Sequence, residues 1–362
     1  MRATAAVMRD PRGAFGLEEI ELDEPGPGEI AIEIAGVGLC HTDLLPRVSR
    51  DIPLPIVCGH EGSGIVVAVG DGVSDFREGD HVVMSFDSCG SCRSCAAGHP
   101  ARCVAFFPRN LSGRRADGST NGKDKAGQAI SSRWFGQSSF ASHAVVEARN
   151  AVAVDKDLPL PLLGPLGCGF QTGAGAVRNS LGVHRGSSLV VFGTGAVGLA
   201  AIMAAKVAGA STIVAIDLHA QRLELAAHYG ATDVLEAGSE NLGRQLRRIT
   251  AGGADFCLDT TGVPDVISTA IEALNPPGVC GLVGAQRGDL VIGPMQLAVG
   301  RTMKGILEGD AVPREFVPYL IELWRNGQFP FDELVQTFPL AAINEAERAV
   351  HSGQVIKPVL LP

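Results

Sequence analysis

The stretch Leu189-Val-Val-Phe-Gly-Thr-Gly-Ala-Val-Gly198 decides the fold of the second half of this 362-residue chain. A short apolar run leads into Gly-x-Gly-x-x-Gly, formed by Gly193, Gly195 and Gly198, and an apolar helical segment follows. The first glycine makes a tight turn, the second lets the backbone approach a pyrophosphate, and the third lets helix and strand pack closely. The helix N-terminus then offers free amides to the phosphates. The pattern predicts a dinucleotide site, although a close-packed turn without a ligand would use the same glycines.

The segment after these glycines favours NAD as the dinucleotide. The next apolar run, residues 212–217, ends in Asp217, nineteen residues after Gly198. A carboxylate at this place accepts hydrogen bonds from both ribose hydroxyls and would repel a 2′-phosphate. Arg222, which is about one helical turn further on, is expected to contact the adenosine or its ribose.

Two regions of the chain with different hydrophobic patterns predict two domains in an α/β protein. From about residue 171 to 300, short apolar strands alternate with amphipathic helices, which predicts a doubly wound parallel sheet covered on both faces. The first 155 residues or so carry short β-branched runs between Gly and Pro, which is typical of an irregular β-rich domain. Within that domain, the polar segment 106–135 predicts a long surface loop or lobe.

Charge and hydropathy exclude several classes of protein. The chain has 30 basic and 39 acidic residues, a net charge of −9, which argues against a nucleic-acid or anionic-membrane partner. Residues 189–205 carry no charge, but they are fewer than the roughly 20 that a membrane span needs and contain three glycines. Because the N-terminus also lacks the shape of a signal peptide, we expect a cytoplasmic protein.

Four of the nine cysteines are closely and regularly spaced. Cys89, Cys92, Cys95 and Cys103 follow the pattern C-x2-C-x2-C-x7-C, which closes a tetrahedral zinc site with no open position. Such a zinc is structural. Disulfides are disfavoured in a reducing compartment, a redox pair needs only two cysteines, and a nucleic-acid-binding finger fits the acidic net charge poorly.

Three further residues form a second candidate zinc site. Cys40, His60 and Cys168 would supply two thiolates and one imidazole, a set that leaves a fourth position open for catalysis. Spacing alone does not bring them together, since each of them taken singly is compatible with an ordinary buried cysteine or histidine.

The motifs taken together resemble the zinc-dependent medium-chain alcohol dehydrogenase family. They run in the family's order over essentially the whole chain: Cys40-His-Thr-Asp43, Gly59-His-Glu-Gly62, the cysteine ladder 89–103, Leu166-Gly-Cys-Gly-Phe-Gln-Thr-Gly173, the glycine turn with Asp217, and Gly300-Arg-Thr-Met-Lys-Gly305. The segments 205–211, 327–332 and 355–359 further resemble the aryl (benzyl) alcohol dehydrogenase branch, whose relatives oxidise allylic alcohols such as geraniol.

The resemblance implies an architecture and an assembly. A GroES-like catalytic domain is expected from residues 1–169 and 301–362, with a Rossmann NAD-binding domain at 170–300 inserted between them. One NAD and two zinc ions per chain are implied. A homodimer or homotetramer is also implied, formed through the edge strand near 279–283.

The resemblance further implies roles for individual residues. Cys40, His60 and Cys168 would bind the catalytic zinc, while Asp43 would orient His60 and Glu61 would lie behind the metal. Thr42 is the candidate for passing the alcohol proton to the nicotinamide ribose. The remaining cofactor contacts are His41, Thr172, Val283 and Lys357, and the pocket-wall candidates are Ser85 and Phe86.

One position departs from the family pattern. Many relatives carry a histidine five residues after the first zinc cysteine as the outer base of the proton relay, and here that residue is Leu45. The proton would then leave through water or through His41. This departure puts the outer relay in question and leaves hydride transfer untouched.

The sequence thus predicts a zinc-dependent oxidoreductase that acts on a small primary alcohol, aromatic or allylic, and gives the aldehyde. The alternatives are a dehydrogenase for formaldehyde–thiol adducts, a zinc-free quinone reductase of the same superfamily, and a non-catalytic zinc protein. The second zinc set disfavours the last two.

Overall fold

The computed structural model describes all residues 1–362, which form two compact units. The first unit comprises residues 1–169, 312–321 and 331–362, and the second comprises residues 170–311 and 322–330. Eighteen strands make up their sheets: β1 Arg2–Met8, β2 Gly16–Leu22, β3 Glu29–Gly38, β4 Ile56–Val57, β5 Glu61–Val69, β6 His81–Met84, β7 Gly122–Asp124, β8 Ala129–Ile130, β9 His143–Glu147, β10 Ala151–Val154, β11 Ser188–Phe192, β12 Thr212–Asp217, β13 Asp233–Glu236, β14 Ala254–Asp259, β15 Leu274–Leu282, β16 Thr302–Gly305, β17 Val335–Pro339 and β18 Lys357–Leu361.

Nine α-helices accompany the strands. They are α1 Arg93–Ala96, α2 Phe106–Leu111, α3 Gly169–Gly175, α4 Ala196–Ala208, α5 Ala220–Tyr229, α6 Leu242–Ile249, α7 Pro264–Glu272, α8 Pro313–Arg325 and α9 Ile343–His351. Several short 3-10 helices lie between them, among them His41–Arg47 and Gly164–Gly167.

The second unit has the predicted doubly wound parallel sheet. Its six strands lie in the order β13-β12-β11-β14-β15-β16, and all neighbouring pairs are parallel. The central residues 189–191 of β11 are completely buried, as expected for a strand covered on both faces. Strand order reverses beside β11, and ligands of such sheets bind at the carboxyl ends of the strands at this point. The glycine turn 193–198 follows β11 there.

The first unit is β-rich and largely antiparallel. One sheet has the order β4-β1-β2-β7-β8, and the other has the order β10-β6-β5-β3-β18-β17, with β9 also paired to β3. Strand β18 comes from the C-terminus, and Val359 pairs with Gly38 of β3. The last residues of the chain therefore complete the sheet that carries the N-terminal motifs.

The division into compact units differs from the predicted boundary at residue 301. Residues 301–311 belong to the second unit, because β16 extends its parallel sheet by pairing with β15. Residues 322–330 also belong there, and Phe329 packs edge-on against Phe170 with ring centroids 6.4 Å apart.

The predicted polar lobe 106–135 is exposed only in part. Its ends carry Phe106, Trp134 and Phe135, which are all at most 5% exposed. Two of its basic residues form ion pairs within the unit. Arg109 pairs with Asp87, and the Arg115 guanidinium donates twice to Glu29. This long segment is rich in glycine and charge, but its ends are buried aromatic residues, which its overall composition does not reveal.

The uncharged stretch 189–205 forms β11 and most of α4. None of the helices combines the length and apolar character needed to cross a membrane.

The glycine turn shows why two of its glycines are required. Gly193 has a φ of +88°, which side chains other than glycine rarely adopt. A Cβ on Gly198 would collide with the Gly193 carbonyl, whereas a Cβ on Gly195 would meet no atom within 4 Å. Gly198 thus serves packing, and the open space at Gly195 is where a ligand could approach the backbone.

We predict that Gly198→Ala destabilises the protein by about 1–3 kcal/mol, because its methyl group must displace backbone rather than a mobile side chain. Urea unfolding followed by circular dichroism measures this difference. Gly195→Ala in the same turn is the matched control and should cost less than about 1 kcal/mol. Equal stability of the two variants would contradict the packing role of Gly198.

Candidate functional site

The cysteine ladder folds into a four-sulfur cluster. The sulfur atoms of Cys89, Cys92, Cys95 and Cys103 all lie within 4.8 Å of one another, and none is in a disulfide. The Cys92 and Cys95 sulfurs are 3.5 Å apart, and those of Cys89 and Cys95 are 3.9 Å apart. A zinc tetrahedron with Zn–S bonds of about 2.3 Å has edges of roughly 3.8 Å. The geometry therefore fits one zinc ion with a closed coordination shell.

Backbone amides support thiolates in this cluster. The N–H of Cys92 donates to the Cys89 sulfur at 3.3 Å, and the N–H of Cys89 donates to the Cys103 sulfur at the same distance. Hydrogen bonds from the amides of Ser91 and Cys92 lower the pKa of Cys89 to about 6. Thiolate is the form that binds metal, so the local backbone prepares Cys89 as a ligand, whereas burial raises the pKa of Cys95 to about 12.

The second cluster brings together residues that are far apart in sequence. Cys40 caps the 3-10 helix 41–47, His60 directly precedes β5, and Cys168 follows the 3-10 helix 164–167. Their ligand atoms, together with a carboxylate oxygen of Glu61, lie within 4.8 Å of one another. His60 Nε2 is 3.2 Å from the Cys168 sulfur. Two sulfurs and one imidazole nitrogen thus converge as a zinc site with an open fourth position requires.

The Asp43 carboxylate organises this cluster. It is completely buried, and its Oδ1 lies 2.7 Å from His60 Nδ1 and accepts the Gly59 N–H at 2.9 Å. Its Oδ2 accepts the N–H of Cys40 at 3.1 Å. The contact with Asp43 favours the tautomer of His60 that carries its proton on Nδ1. Nε2, which faces Cys168, is then available to bind a metal.

Glu61 and Lys357 form a buried ion pair behind the cluster. The Lys357 ammonium lies 2.9 Å from both Glu61 oxygens, and the side chains are 4% and 0% exposed. The N–H of Gly169 also donates to Glu61 Oε1 at 3.0 Å. The structure thus gives Lys357 a carboxylate partner, and its predicted contact with a cofactor phosphate stays a prediction.

Burial and neighbouring charges shift the pKa values of this cluster in different directions. The hydrogen bond with Cys168, together with His60 and Lys357, lowers the pKa of Cys40 well below its ordinary value. Burial raises the pKa of Glu61. Burial acts to lower the pKa of Lys357, but Glu61 and Cys40 outweigh it and the pKa rises.

Thr42, His41 and Leu45, which lie next to the ligand Cys40 in sequence, have different surroundings. Thr42 Oγ1 is 3.8 Å from the Cys40 sulfur. His41 is exposed, and its ring lies edge-on to that of His351 with centroids 6.2 Å apart. Leu45 packs against the hydrophobic core of the unit. The position at which the family resemblance implies an outer base is therefore a partly buried leucine here.

The two pocket-wall candidates are buried. Ser85 is completely buried and donates its hydroxyl to the Gly167 carbonyl at 2.6 Å. Phe86 is 4% exposed and packs against Phe106 with ring centroids 5.7 Å apart. Their part in a substrate pocket stays a prediction.

The second unit carries the dinucleotide features. Asp217 is held against the glycine turn, because its Oδ2 accepts the N–H and the hydroxyl of Thr194 at 2.7 and 2.9 Å. Its Oδ1 accepts the N–H of His219 at 3.0 Å. Helix α4 begins after Gly195 without a side-chain cap, so its first amides are free for an anion. This arrangement fits a dinucleotide.

Three other residues of this unit, Arg222, Thr172 and Val283, are also predicted to contact the cofactor. The Nε of Arg222 is buried and has no hydrogen-bond partner. Thr172 is 7% exposed in α3, and Val283 directly follows β15, with its N–H bonded to the Asp259 carbonyl at 2.9 Å. Their contacts with NAD stay predictions.

Sequence reasoning missed a segment that borders the second metal cluster. Trp134 donates its indole N–H to Asp43 Oδ1 at 3.1 Å, and the ring of Phe135 stacks on His60 with centroids 4.4 Å apart. Gln137 also donates to the His60 carbonyl at 2.9 Å. The signal available was an aromatic pair at the end of a polar segment, including one of only two tryptophans in the chain.

Comparison with known proteins decides the family. Residues 26–156 match the model of the alcohol dehydrogenase GroES-like domain, and residues 196–325 match that of the zinc-binding dehydrogenase. The chain belongs to the zinc-binding medium-chain alcohol dehydrogenase family. The predicted family and its two-domain α/β fold, with a GroES-like domain and a Rossmann-type parallel sheet, are thereby confirmed.

Three relatives are similar over nearly their whole length. A geraniol dehydrogenase from Castellaniella defragrans is 46% identical over 99% of this chain and 97% of its own. A crystal structure from Burkholderia ambifaria, described as an alcohol dehydrogenase zinc-binding domain protein, has a TM-score of 0.97 and 46% identity, covering 100% and 99% of the two chains. The crystal structure of benzyl alcohol dehydrogenase from Acinetobacter calcoaceticus has a TM-score of 0.95 and 40% identity, with the same coverage.

Membership in the family establishes the chemistry in outline. The chain is a zinc-dependent alcohol dehydrogenase, and zinc and NAD are the cofactors of its family. Both sets of residues fit zinc by their donor atoms and distances. The other three cysteines, Cys58, Cys257 and Cys280, are completely buried, and burial raises the pKa of Cys280 to about 12.

We predict two zinc ions per chain, held by separate sets of residues. His60→Ala and Cys103→Ser should each reduce the content to one, because each change removes a ligand from a different cluster. Elemental analysis of the purified proteins measures this. Cys257→Ser, which changes a buried cysteine outside both clusters, is the matched control and should keep two. His60→Ala protein that still holds two zinc ions would contradict the assignment.

Proposed function

We propose that this alcohol dehydrogenase oxidises a primary aromatic or allylic alcohol to the aldehyde, with NAD as hydride acceptor, and also runs in reverse. The observation that carries the proposal is the convergence of Cys40, His60 and Cys168 into one group of ligand atoms, with the Thr42 hydroxyl 3.8 Å from the Cys40 sulfur. The substrate class rests on the similarity to a geraniol dehydrogenase and a benzyl alcohol dehydrogenase. Both of those names denote primary alcohols with an unsaturated carbon next to the reacting one.

Several residues prepare the site for this reaction. When bound, zinc supplies the Lewis acidity that makes an alcohol hydroxyl easier to deprotonate, and NAD accepts the hydride. Cys40, His60 and Cys168 would hold the metal with two negative charges, which would leave the site neutral overall and the metal still able to polarise oxygen. Asp43 fixes the tautomer of His60. Glu61 keeps its negative charge balanced by Lys357, so the metal is not over-neutralised.

Thr42 is proposed as the first proton acceptor. Its hydroxyl is both donor and acceptor, so it would take the alcohol proton while releasing its own toward the nicotinamide ribose of a bound cofactor. Because Leu45 has no titratable group, the proton would then reach solvent through water or through His41. Thr172, Val283, Asp217 and Arg222 are proposed to position the cofactor.

The division of labour between the two units follows the same proposal. The first unit binds metal and alcohol, and the second binds NAD at the turn 193–198. We propose a homodimer or homotetramer that assembles through the edge of the parallel sheet near 279–283.

We predict that Thr42→Val lowers kcat by about 10²–10⁴-fold, because it keeps the shape of the side chain and removes the hydroxyl that relays the proton. Stopped-flow measurement of NADH formation at saturating alcohol tests this. Thr42→Ser keeps the hydroxyl and is the matched control, with activity expected within a few-fold of wild type. A Thr42→Val enzyme as active as Thr42→Ser would remove Thr42 from the relay.

We predict that kcat/KM for benzyl alcohol and for geraniol exceeds that for ethanol by at least about 10²-fold. Each apolar carbon buried in a pocket contributes about 0.8 kcal/mol of binding, which a two-carbon alcohol cannot supply. NADH absorbance reports all three reactions, and formaldehyde with glutathione is the fourth substrate of the panel. Preference for ethanol would reject the aromatic or allylic assignment, and preference for the glutathione adduct would favour the thiol-adduct alternative.

A further inference from the structure

The segment 134–140, called here the clamp segment, is hydrogen-bonded to the loop that carries His60. Its backbone and side chains hold the carbonyls of three consecutive residues of the loop. The N–H of Phe140 donates to the Cys58 carbonyl at 3.0 Å, and the N–H of Ser139 donates to that of Gly59 at 2.8 Å. Gln137 then donates to the His60 carbonyl at 2.9 Å and accepts the N–H of Gly62 at 3.1 Å. The backbone on both sides of the imidazole is thus fixed by one neighbouring segment.

The first residue of the clamp segment reaches the histidine ring through a carboxylate. The Trp134 side chain is completely buried, and its Nε1–H donates to Asp43 Oδ1 at 3.1 Å. The same oxygen lies 2.7 Å from His60 Nδ1. An indole only donates, so this buried N–H needs an acceptor, and the acceptor present is the group that orients His60. Trp134 therefore restrains the same Asp43 oxygen that contacts the imidazole.

The second residue of the clamp segment restrains the face of the same ring. Phe135 stacks on His60 with ring centroids 4.4 Å apart and an interplanar angle of 29°. It does so from a φ of +51°, a left-handed conformation that costs an L residue about 1–2 kcal/mol. The Ser138 hydroxyl holds this turn by accepting the N–H of Trp134 at 2.8 Å and donating to the Val57 carbonyl. A strained aromatic residue against a functional ring indicates a constraint beyond filling space.

We infer that Trp134 is a positioning residue for the catalytic metal: its indole N–H fixes Asp43, and Asp43 with Phe135 fixes the imidazole of His60 in its coordinating orientation. The inference rests on the proposed role of His60 as a zinc ligand. It differs from simple core packing because it predicts a specific effect on the zinc ion held by His60 and none on the zinc ion of the cysteine ladder.

The first experiment replaces the N–H while keeping an aromatic ring. The Trp134→Phe holoenzyme is compared with wild type, with Trp324→Phe as the matched control at the other tryptophan. Release of zinc into excess chelator is followed with a metallochromic dye. Loss of a group that supports a metal ligand lowers metal affinity by about 10–100-fold, so one of the two zinc ions should leave at least about 10-fold faster from Trp134→Phe.

A structural role alone would not produce the remaining signatures. Release of the second zinc ion, held by the cysteine ladder, should be unchanged in Trp134→Phe. After cobalt is exchanged into the catalytic position, its visible absorption bands should shift in Trp134→Phe and stay in place in Trp324→Phe. Release rates and cobalt spectra equal to those of wild type would overturn the inference.

A second measurement works even if Trp134→Phe fails to fold. In Trp324→Phe, Trp134 is the only fluorophore of its kind, since the chain has two tryptophans. Cobalt at the catalytic position should quench most of its emission relative to zinc, because a chain of two contacts, through Asp43 and His60, separates indole from metal. Emission that does not respond to cobalt would also overturn the inference.

Failure of this inference is distinguishable from failure of the proposed function. A wild-type protein with only one zinc ion, unaffected by His60→Ala, rejects the catalytic metal site itself. The other case is a wild-type protein with two zinc ions, one of which depends on His60. If zinc release and the cobalt spectrum of Trp134→Phe then equal those of wild type, only the role of Trp134 is rejected.

Discussion

The hydrogen bonds of the buried Asp43 carboxylate hold together the candidate zinc site of the first unit. An ionised carboxylate without water costs several kcal/mol unless its oxygens are hydrogen-bonded. Asp43 meets this requirement with two backbone amides, one imidazole and one indole, which come from three separate segments of the chain. Because each donor belongs to a segment that carries or borders a metal ligand, satisfying this one group also sets the positions of Cys40 and His60.

Features that depend on local sequence could be predicted from the sequence. The parallel sheet follows from apolar strands that alternate with helices, and the turn at Gly193–Gly198 follows from steric demands of neighbouring residues. The four-sulfur cluster is also local, since its ligands lie within fifteen residues of one another. The second metal cluster was reached through the family resemblance, because nothing in the spacing of Cys40, His60 and Cys168 requires them to meet.

Features that depend on long-range packing could not be predicted. Trp134 lies 91 residues from Asp43 in sequence, and its position at the end of a polar lobe suggested an exposed loop. The pairing of β16 with β15 assigned residues 301–311 to the second unit, because an open edge of a parallel sheet accepts any strand of suitable register. The ion pair of Lys357 with Glu61 also joins residues that are distant in sequence, while its predicted contact with a phosphate stays a prediction.

The ion pair between Glu61 and Lys357 also has a consequence for biosynthesis. Its members are 296 residues apart, and Lys357 opens the strand that completes the sheet beside β3. A nascent chain on the ribosome therefore exposes Cys40, His60 and Cys168 long before the cation that balances Glu61 has been synthesised. The cysteine ladder has all its ligands once residue 103 has emerged. The four residues of the cysteine ladder are thus synthesised close together, whereas the cation that pairs with Glu61 is synthesised 296 residues after it.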